Sequence, residues 1–477
     1  MMRRPDAPHF TARPFALAAL TLALLSGCAI GPDYVRPAAQ VGLPEAYNAA
    51  GPLAAAPTVA DNWWSLFGDS QLDGLVAQAL ATSPDARIAA LRIEEADALL
   101  RQVDAALLPQ VNVDASGSRS RISQTNATPI PSTAPITRSS ARLALSTSFE
   151  LDVWGKLRRA SEAARAQALG TRYAADTVSL SLAAAVTQAY LNLRAIDAQL
   201  LAVDDSLSSQ SRSTQLTRTR FEGGIASQLD VQQAEGALAT YTAARVELDR
   251  ARGLSENLLG LLVGQPGLKV AAGDLRTLPV PPAPPAGLPS ALLETRPDVK
   301  KAETDLIAAN AKIGVAKAAL FPSITLTGNF GRESKDLSQL FSAPSAVWSF
   351  GAGLTQPIFE GGRLRAQVDQ ITAQQQQSLE TYRKTVQGAF REVNDALVSV
   401  GRNADAEDAY TRAMNAAKRA LQLAQARYDA GYSPYLEVLS AQRTANDATV
   451  AWIQNRQARL TATVDLFKAL GGGWKGA

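Results

Sequence analysis

Histidine and cysteine are almost missing from this chain: among 477 residues there is one of each, His9 and Cys28, and both lie near the N-terminus. A histidine-based triad, a Cys–His nucleophile, a zinc finger and an intrachain disulfide each need more than that. If a leader is removed before Cys28, the chain from 28 to 477 has no histidine and no second cysteine. Aromatic residues make up 6%, charged residues 19%, and the formal net charge is +3. That balance gives no basic stripe for nucleic acid. Beyond the N-terminus no stretch approaches the 18 or so apolar residues of a membrane-spanning helix. Neighbouring acids occur at Glu94-Glu95 and Asp204-Asp205. An envelope enzyme with paired carboxylates could use such groups, whereas a solvated helical face accounts for both pairs without chemistry.

What is present begins with a leader. Arg3, Arg4 and Arg13 precede an apolar run of 11 residues, Phe15 to Leu25, too short to cross a bilayer and suited to the core of a signal peptide. Leu25-Ser26-Gly27-Cys28 follows, a context similar to the lipobox of bacterial lipoproteins. The expectation is a signal peptide over 1–27 and a lipid attached to Cys28, with an ordinary signal peptide and a chance cysteine as the alternative. Acyl chains contribute roughly 0.8 kcal/mol per buried methylene, so several on one residue would anchor the chain firmly. Ala29 stands where an inner-membrane retention signal would place Asp, so the tether is expected in the outer membrane.

The remainder is written twice. Leu75–Gly117 lies over Leu288–Phe330 at a constant offset of 213: Thr82 on Thr295, Pro84-Asp85 on Pro297-Asp298, Ala105-Ala106-Leu107 on Ala318-Ala319-Leu320. Further on the offset is 207, with Gly155 on Gly362, Phe221 on Tyr428, Gly224 on Gly431 and Leu229-Asp230-Val231 on Leu436-Glu437-Val438. The difference falls between Pro109 and Gly155, where the first copy has the longer Ser/Thr/Pro-rich loop. Such self-similarity sets the architecture before any element is assigned.

Each copy opens with a helix, from about Leu75 to Leu107 and from Leu288 to Leu320, ended by proline. Period-two segments follow: Val111, Val113 and Ala115 alternate with Asn112 and Asp114, and Ile324, Leu326 and Gly328 with Thr325 and Thr327. Returning segments 141–153 and 347–358 repeat the pattern. These four strands of about 9–13 residues have the length of tilted membrane-spanning strands. The alternation does not say which face, that of Leu143 or its opposite, would meet lipid. Two long proline-free stretches then run from Lys156 to Gln265 and from Ile358 to Ser433. The first piece, Leu157 to about Thr219, would be roughly 95 Å long as a helix. Its seam Val186, Ala189, Leu193, Ile196, Leu200, Val203, Leu207 has coiled-coil spacing, and Ala413, Ala416, Ala420 and Leu423 offer a smaller-residue seam in the second copy.

Four strands cannot close a barrel, and an open edge cannot face lipid. Other subunits would therefore complete it, three copies giving twelve strands and assembling the helices into a hollow cylinder. A small soluble sheet capping a helical rod fits the same periodicity.

These residues resemble a known family. The signatures are Gly31-Pro32-Asp33-Tyr34; Asn62-Trp63-Trp64 with Phe67; Leu293-Glu-Thr-Arg-Pro-Asp-Val299; Ala309-Asn-Ala-Lys-Ile-Gly314 running to Phe321-Pro322; Gln356-Pro-Ile-Phe-Glu-Gly-Gly-Arg363; and Ala469-Leu-Gly-Gly-Gly-Trp474. Together, in this order, they resemble the TolC-like outer-membrane efflux proteins of Gram-negative bacteria, in their OprM/NodT-like lipoprotein branch. The resemblance implies a mixed α/β membrane protein: a trimeric 12-stranded transmembrane β-barrel, four strands per chain, continued by a long periplasmic α-helical coiled-coil barrel, with an internal two-fold repeat. Residues 28–60 would be an extended segment after the lipidated cysteine, 61–265 the first repeat, 266–287 a Pro-rich equatorial linker, and 288–477 the second repeat with the tail.

The resemblance further implies a passive duct for drugs or other small toxic compounds, not an enzyme, with no cofactor beyond the covalent lipid on Cys28. Its partners would be two further copies of itself, a periplasmic adaptor (membrane fusion) protein, an inner-membrane RND pump and outer-membrane lipid, without nucleic acid. A duct for type I protein secretion has the same fold and is the alternative; the lipobox and Trp63-Trp64 favour efflux. An adaptor would carry a single helical hairpin and no duplicated strand–helix unit. The turns at Arg220–Ser227 and Arg427–Pro434 would be the periplasmic tips, with Gly223, Gly224, Ala226, Ser227, Gly431, Ser433 and Pro434 meeting the adaptor. Asp230 falls on the family's linking acid, Tyr428 on its tyrosine partner and Glu437 on the first acid of its constricting ring. Ser433 and Ser440 stand where an arginine and a second ring acid are expected. Read as residues alone, both turns are ordinary coiled-coil reversals.

Overall fold

In the computed structural model the described residues are 29–37, 44, 47, 59–123, 125, 135–284 and 289–474. The leader 1–27 and Cys28 lie outside the described residues, as do Gln124, 126–134 and 285–288. The elements are α1 (Ser70–Thr82), α2 (Pro84–Asp104), β1 (Gln110–Arg121), β2 (Thr137–Leu151), α3 (Lys156–Glu222), α4 (Gln228–Val263), α5 (Leu292–Thr295), α6 (Pro297–Ala318), β3 (Ser323–Ser334), β4 (Ala346–Thr355), α7 (Arg363–Asp429) and α8 (Tyr435–Ala469). The helix expected over Leu75–Leu107 is two helices, and so is its partner over Leu288–Leu320. Ser83 (ψ 137°) and Arg296 (ψ 121°) are extended. Each precedes a proline, whose ring disfavours helical backbone in the residue before it. The apolar period runs through both breaks, which is why periodicity alone joins them.

The described residues form two compact units, each drawn from three stretches: those up to 36, within 95–169 and within 303–380 in the first, and those within 37–94, 170–302 and from 381 to 474 in the second. The first holds a four-stranded antiparallel sheet of order β1-β2-β3-β4, with β1 and β4 as its edges. Hairpin β1–β2 pairs Gln110 with Ser148 and Val113 with Leu145. Moving those residues by 213 and 207 gives Ser323 with Thr355 and Leu326 with Ala352, which are pairs of hairpin β3–β4. The repeat therefore extends to the hydrogen-bond register.

Below the sheet, the segment after residue 28 is fastened to α3 and α6. Ile30 N–H donates to the Trp154 carbonyl at 3.0 Å. Arg159 pairs with Asp33 at 2.6 Å, Asn310 Nδ2 donates to the Pro32 carbonyl at 2.8 Å, and Arg36 holds Glu303 through Nε at 2.5 Å. A Cβ on Gly314 would lie 2.7 Å from the Ile30 carbonyl oxygen, so only glycine admits this approach. Residues 29–36 form neither helix nor strand and are docked through the Gly31–Tyr34 motif.

In the second unit, Trp63 is fully buried and stacks on Phe467 with ring centroids 5.4 Å apart. The Pro-rich stretch is fixed by buried charge: Asp197 accepts from Arg194 at 3.1 Å and Arg252 at 2.7 Å. Glu256 accepts from Arg252 at 2.7 Å, Lys269 at 2.8 Å and the Val270 N–H at 3.1 Å. Paired in this way, buried charges avoid the cost of an uncompensated ion. Of the expected α3 seam, Val186, Ala189, Leu193, Ile196 and Val203 are buried, with Leu200 and Leu207 partly so. The second seam differs. Ala413, Ala416, Ala420 and Leu423 are exposed in the protomer, and α7 instead buries Ala417, Ala424 and Tyr428. Small side chains on two faces of α7 left the choice open to pattern, and the large ring of Tyr428 decides it.

Candidate functional site: the sheet wall and the helical tips

Residues opposite one another across a sheet point to the same side. One side carries Val111, Val113 and Ala115 of β1, Leu143, Leu145 and Phe149 of β2, Leu326 and Phe330 of β3, and Trp348, Phe350 and Leu354 of β4. The other carries Asn112 and Asp114, Ser146 and Ser148, Thr325, Thr327 and Asn329, and Ser349. Ser146 Oγ donates to Asp114 on this polar side. Large apolar groups stand open to their surroundings on the first side, with Trp348 77%, Phe350 74%, Val113 69% and Phe330 67% exposed. In water that surface would be unfavourable by roughly 25 cal/mol per Å². The sheet is built for an apolar medium outside and water inside.

The two hairpins α3–α4 and α7–α8 end in turns of one design. Gly224 and Gly431 take φ of +72° and +78°, the left-handed conformation that only glycine reaches freely. Ile225 N–H then donates to the Arg220 carbonyl, and Tyr432 N–H to the Arg427 carbonyl, both at 2.8 Å. This is the six-to-one closure that satisfies a helix's last carbonyls. Ile225 and Tyr432, one residue past each glycine, are both 81% exposed.

Side chains lock the tips to each other. Tyr428 and Thr217 share a hydroxyl hydrogen bond at 3.1 Å. Arg220 lies over the Tyr428 ring, 4.4 Å from its centroid, and donates to the carbonyls of Tyr428 and Asp429 at 3.1 Å. Gln210 Nε2 donates to Tyr435 Oη at 2.7 Å and to the Ala234 carbonyl at 2.9 Å. Ala234, Ala424, Tyr428, Tyr435 and Val438 form the apolar packing around these bonds. Burial pushes the Tyr435 hydroxyl above its ordinary range, with the Gln210 bond pulling the other way.

The family of profile "outer membrane efflux protein" matches residues 75–265 and again residues 288–472. The chain belongs to the outer membrane efflux protein family. Outer membrane protein OprJ of Pseudomonas aeruginosa is 38% identical over 469 residues, covering 96% of each chain. Cation efflux system protein CusC of Escherichia coli O6:H1 is 35% identical over 458 residues, covering 94% of this chain and 97% of the relative. The solved structure of the Neisseria gonorrhoeae MtrE outer membrane channel in its open state matches with a TM-score of 0.82 at 30% identity, covering 94% of this chain and 99% of that one. Outer membrane efflux proteins are channels of Gram-negative bacteria, not enzymes, and they are homotrimers that act with an adaptor and an inner-membrane pump.

In an outer membrane efflux protein the apolar side of the sheet is the one that meets lipid, which places Leu143 and Leu326 on the lipid side. The expected gate residues are not brought together within the protomer. The Asp230 carboxylate accepts from the Ser227 N–H at 3.1 Å and hydroxyl at 2.8 Å, while the Asp230 N–H donates to Ser227 Oγ. That capping box at the start of α4 satisfies orphan donors locally. Within the protomer the Tyr428 hydroxyl meets Thr217. Glu437, in the first turn of α8, pairs with Arg427 at 3.4 Å. Ser433 Oγ is buried without a hydrogen-bond partner, so it supplies no substitute for the arginine of the family pattern. Gly223, Gly224, Ala226, Ser227, Gly431, Ser433 and Pro434 all lie in or beside the two turns.

Thr217, Gln210 and Tyr435 were not legible as tip residues from the chain alone, and Arg220 was read only as the start of its turn, without the clasp it makes. One signal was present for Arg220. It is the repeat equivalent of Arg427 at the 207 offset, and each arginine precedes the aromatic of its turn, Phe221 or Tyr428.

Proposed function

We propose that this chain is the lipid-anchored exit duct of an RND-type tripartite efflux system, passively conducting drugs or other small toxic compounds. The observation that carries the reading is the sheet with one apolar and one polar face and two unpaired edges. Three such sheets would close a twelve-stranded barrel with a wet lumen, and the energy for transport would come from the pump. The acyl tether is assigned to Cys28 after removal of 1–27, and the docked segment 29–36 supports it by leading from that residue onto the first unit. The remaining divisions follow the repeat: 28–60 extended, 61–265 and 288–477 the two copies, 266–287 the linker.

The adaptor is assigned to the tips, where Ile225 and Tyr432 add exposed apolar contacts to the glycines and Ala226, Ser227, Ser433 and Pro434. The closed entrance is assigned to Tyr428 and Glu437 together with Asp230, the last acting through the start of α4. In planar bilayers the purified protein should give an ohmic conductance without nucleotide and should have the mass of a trimer in detergent. A helical monomer that conducts nothing would overturn the reading. Radiolabelled fatty acid should follow wild type and leave Cys28→Ser unlabelled; equal label on both would remove the tether alone.

A further inference from the structure

The second unit holds a cavity of about 310 Å³ built from none of the sheet or tip residues. Trp63, Trp64 and Trp474 line it together with Leu180 and the glycines 471–473. Asp61 and Asp176 are its charged groups, and among the described residues neither lysine nor arginine lines it. Trp63 and Trp64 come from the short 3₁₀ helix 63–67 and meet edge to face, with ring centroids 5.6 Å apart. Asp176 and Leu180 stand one turn apart on α3. Gly472, at φ +60°, passes so close that a Cβ on it would run into Leu180. Two polar groups here have no counterpart in the fold. Trp63 is fully buried and its indole N–H has no acceptor, although Nε1 lies 3.3 Å from where the Cβ of Gly472 would stand. Native proteins seldom seal a donor away from water without a reason. The Asp176 carboxylate accepts from Trp474 Nε1 at 3.0 Å, yet among the described residues no cation pairs with it. Burial raises its carboxyl above the ordinary range, so keeping the anion there works against the fold.

We infer that this cavity binds a small organic ammonium ion carrying a hydroxyl or carbonyl oxygen a few bonds from its charge. The ammonium lies against the tryptophan rings, whose faces attract cations, and beside the Asp176 carboxylate. Its oxygen accepts from Trp63 Nε1. One ligand thus supplies both missing counterparts, an acceptor for the indole and a positive charge for the acid. The lining excludes the other classes. An anion would meet Asp61 and Asp176 with no base to offset them. A neutral molecule would leave the Asp176 charge buried without a partner. A divalent metal ion needs six or so oxygen ligands, which two carboxylates among aromatic rings do not supply. Methylated ammonium, weakly hydrated and apolar on its outside, suits such a wall best.

Choline is the probe, titrated by calorimetry into the full-length protein in detergent. Three comparisons accompany it: 3,3-dimethyl-1-butanol, its uncharged isostere; tetramethylammonium, which lacks the oxygen; and glycerophosphocholine, the lipid headgroup form with an anionic phosphodiester. Choline should bind at least about tenfold more tightly than the isostere and severalfold more tightly than tetramethylammonium. Glycerophosphocholine should bind more weakly, because its phosphodiester meets the two acids. Asp176→Asn keeps an acceptor for Trp474 and removes the charge, so it should weaken choline by about tenfold or more. Trp63→Phe keeps a ring on Phe467 and removes the donor, so choline and tetramethylammonium should then bind alike. If that variant fails to assemble, Trp64→Leu tests the ring wall and should weaken both ammonium ions. Choline and its isostere binding alike, or wild-type affinity for choline in Asp176→Asn, overturns the site. Tighter binding of glycerophosphocholine than of choline overturns it in favour of a lipid headgroup. Any of these results in a protein that still conducts leaves the duct standing.

Discussion

Arg220 at the end of α3 caps the end of α7: its guanidinium covers the Tyr428 ring at 4.4 Å and donates to the carbonyls of Tyr428 and Asp429. A cation at a helix C-terminus is favourable, and here it comes from a different hairpin, so the cap also ties the two tips together. Hydrogen bonds to a charged group and a half-exposed cation–π contact together contribute about 1–3 kcal/mol. Arg220→Ala should raise single-channel conductance in planar bilayers and lower the temperature at which the tips yield to protease. Lysine keeps the charge and loses the fork, so Arg220→Lys should fall between. Tyr428→Phe, which removes the Thr217 bond, should move conductance the same way. Unchanged conductance in all three variants would remove the clasp.

Glu437 and Arg427 form the other charged contact at the tips, at 3.4 Å and with both side chains well exposed. An exposed pair of this kind contributes little to stability. Its interest is the ring that three copies would form at a narrow entrance, where like charge sets ion selectivity. Glu437→Gln should lower cation preference in reversal-potential measurements with little change in thermal stability. Arg427→Gln should raise the preference by freeing the carboxylate. Equal reversal potentials in wild type and both variants would place the entrance elsewhere.

Alternation made the four strands legible, and the repeat, with one change of offset in the loop between the strands, made the second pair as readable as the first. Two things needed the fold. Which face of Leu143 meets lipid depends on its partners Ala115 and Arg332, a pairing that no local pattern contains. Arg220 acts on backbone carbonyls some two hundred positions away, and carbonyls leave no mark in a sequence. Asp230 shows the converse. Its motif was readable, yet a serine three residues earlier claims the carboxylate first, because a capping box costs no long-range closure.

Asp176 in α3 accepts from Trp474 Nε1 at 3.0 Å, beside the glycine run 471–473. Burial raises its carboxyl above the ordinary range, and the indole bond only partly opposes this. A raised folded-state value means that the fold favours the protonated acid. The associated stability is fully present below the unfolded value, near pH 4, and is lost as pH rises through the folded value. Asp176→Asn keeps an acceptor for Trp474 and removes the buried charge. Melting temperature at neutral pH should rise, and the variant should lose this part of the wild-type gain on acidification. A lower melting point at neutral pH would show that the charge itself is needed.

The two faces of β2 give adjacent residues opposite fates. Leu145 points to the apolar side opposite Val113 and Phe330, whereas Ser146 points to the polar side and bonds to Asp114. An arginine on a lipid-facing strand position costs about 2–4 kcal/mol at the bilayer midplane and falls toward zero near the interfaces. Leu145→Arg lies mid-strand and should carry most of that penalty. Leu326→Arg is three residues from the start of β3 and should cost less, whereas Leu143→Arg, like Leu145→Arg one residue from the centre of β2, should cost about as much. Ser146→Arg enters a wet lumen beside a carboxylate, so its cost should be small. Refolding into bilayers of matched thickness, followed by urea titration, ranks the four variants. The order Leu145 and Leu143 above Leu326, with Ser146 last, is the signature of the assigned faces. A penalty for Ser146→Arg equal to that for Leu145→Arg would mean that the sheet does not separate lipid from water at all.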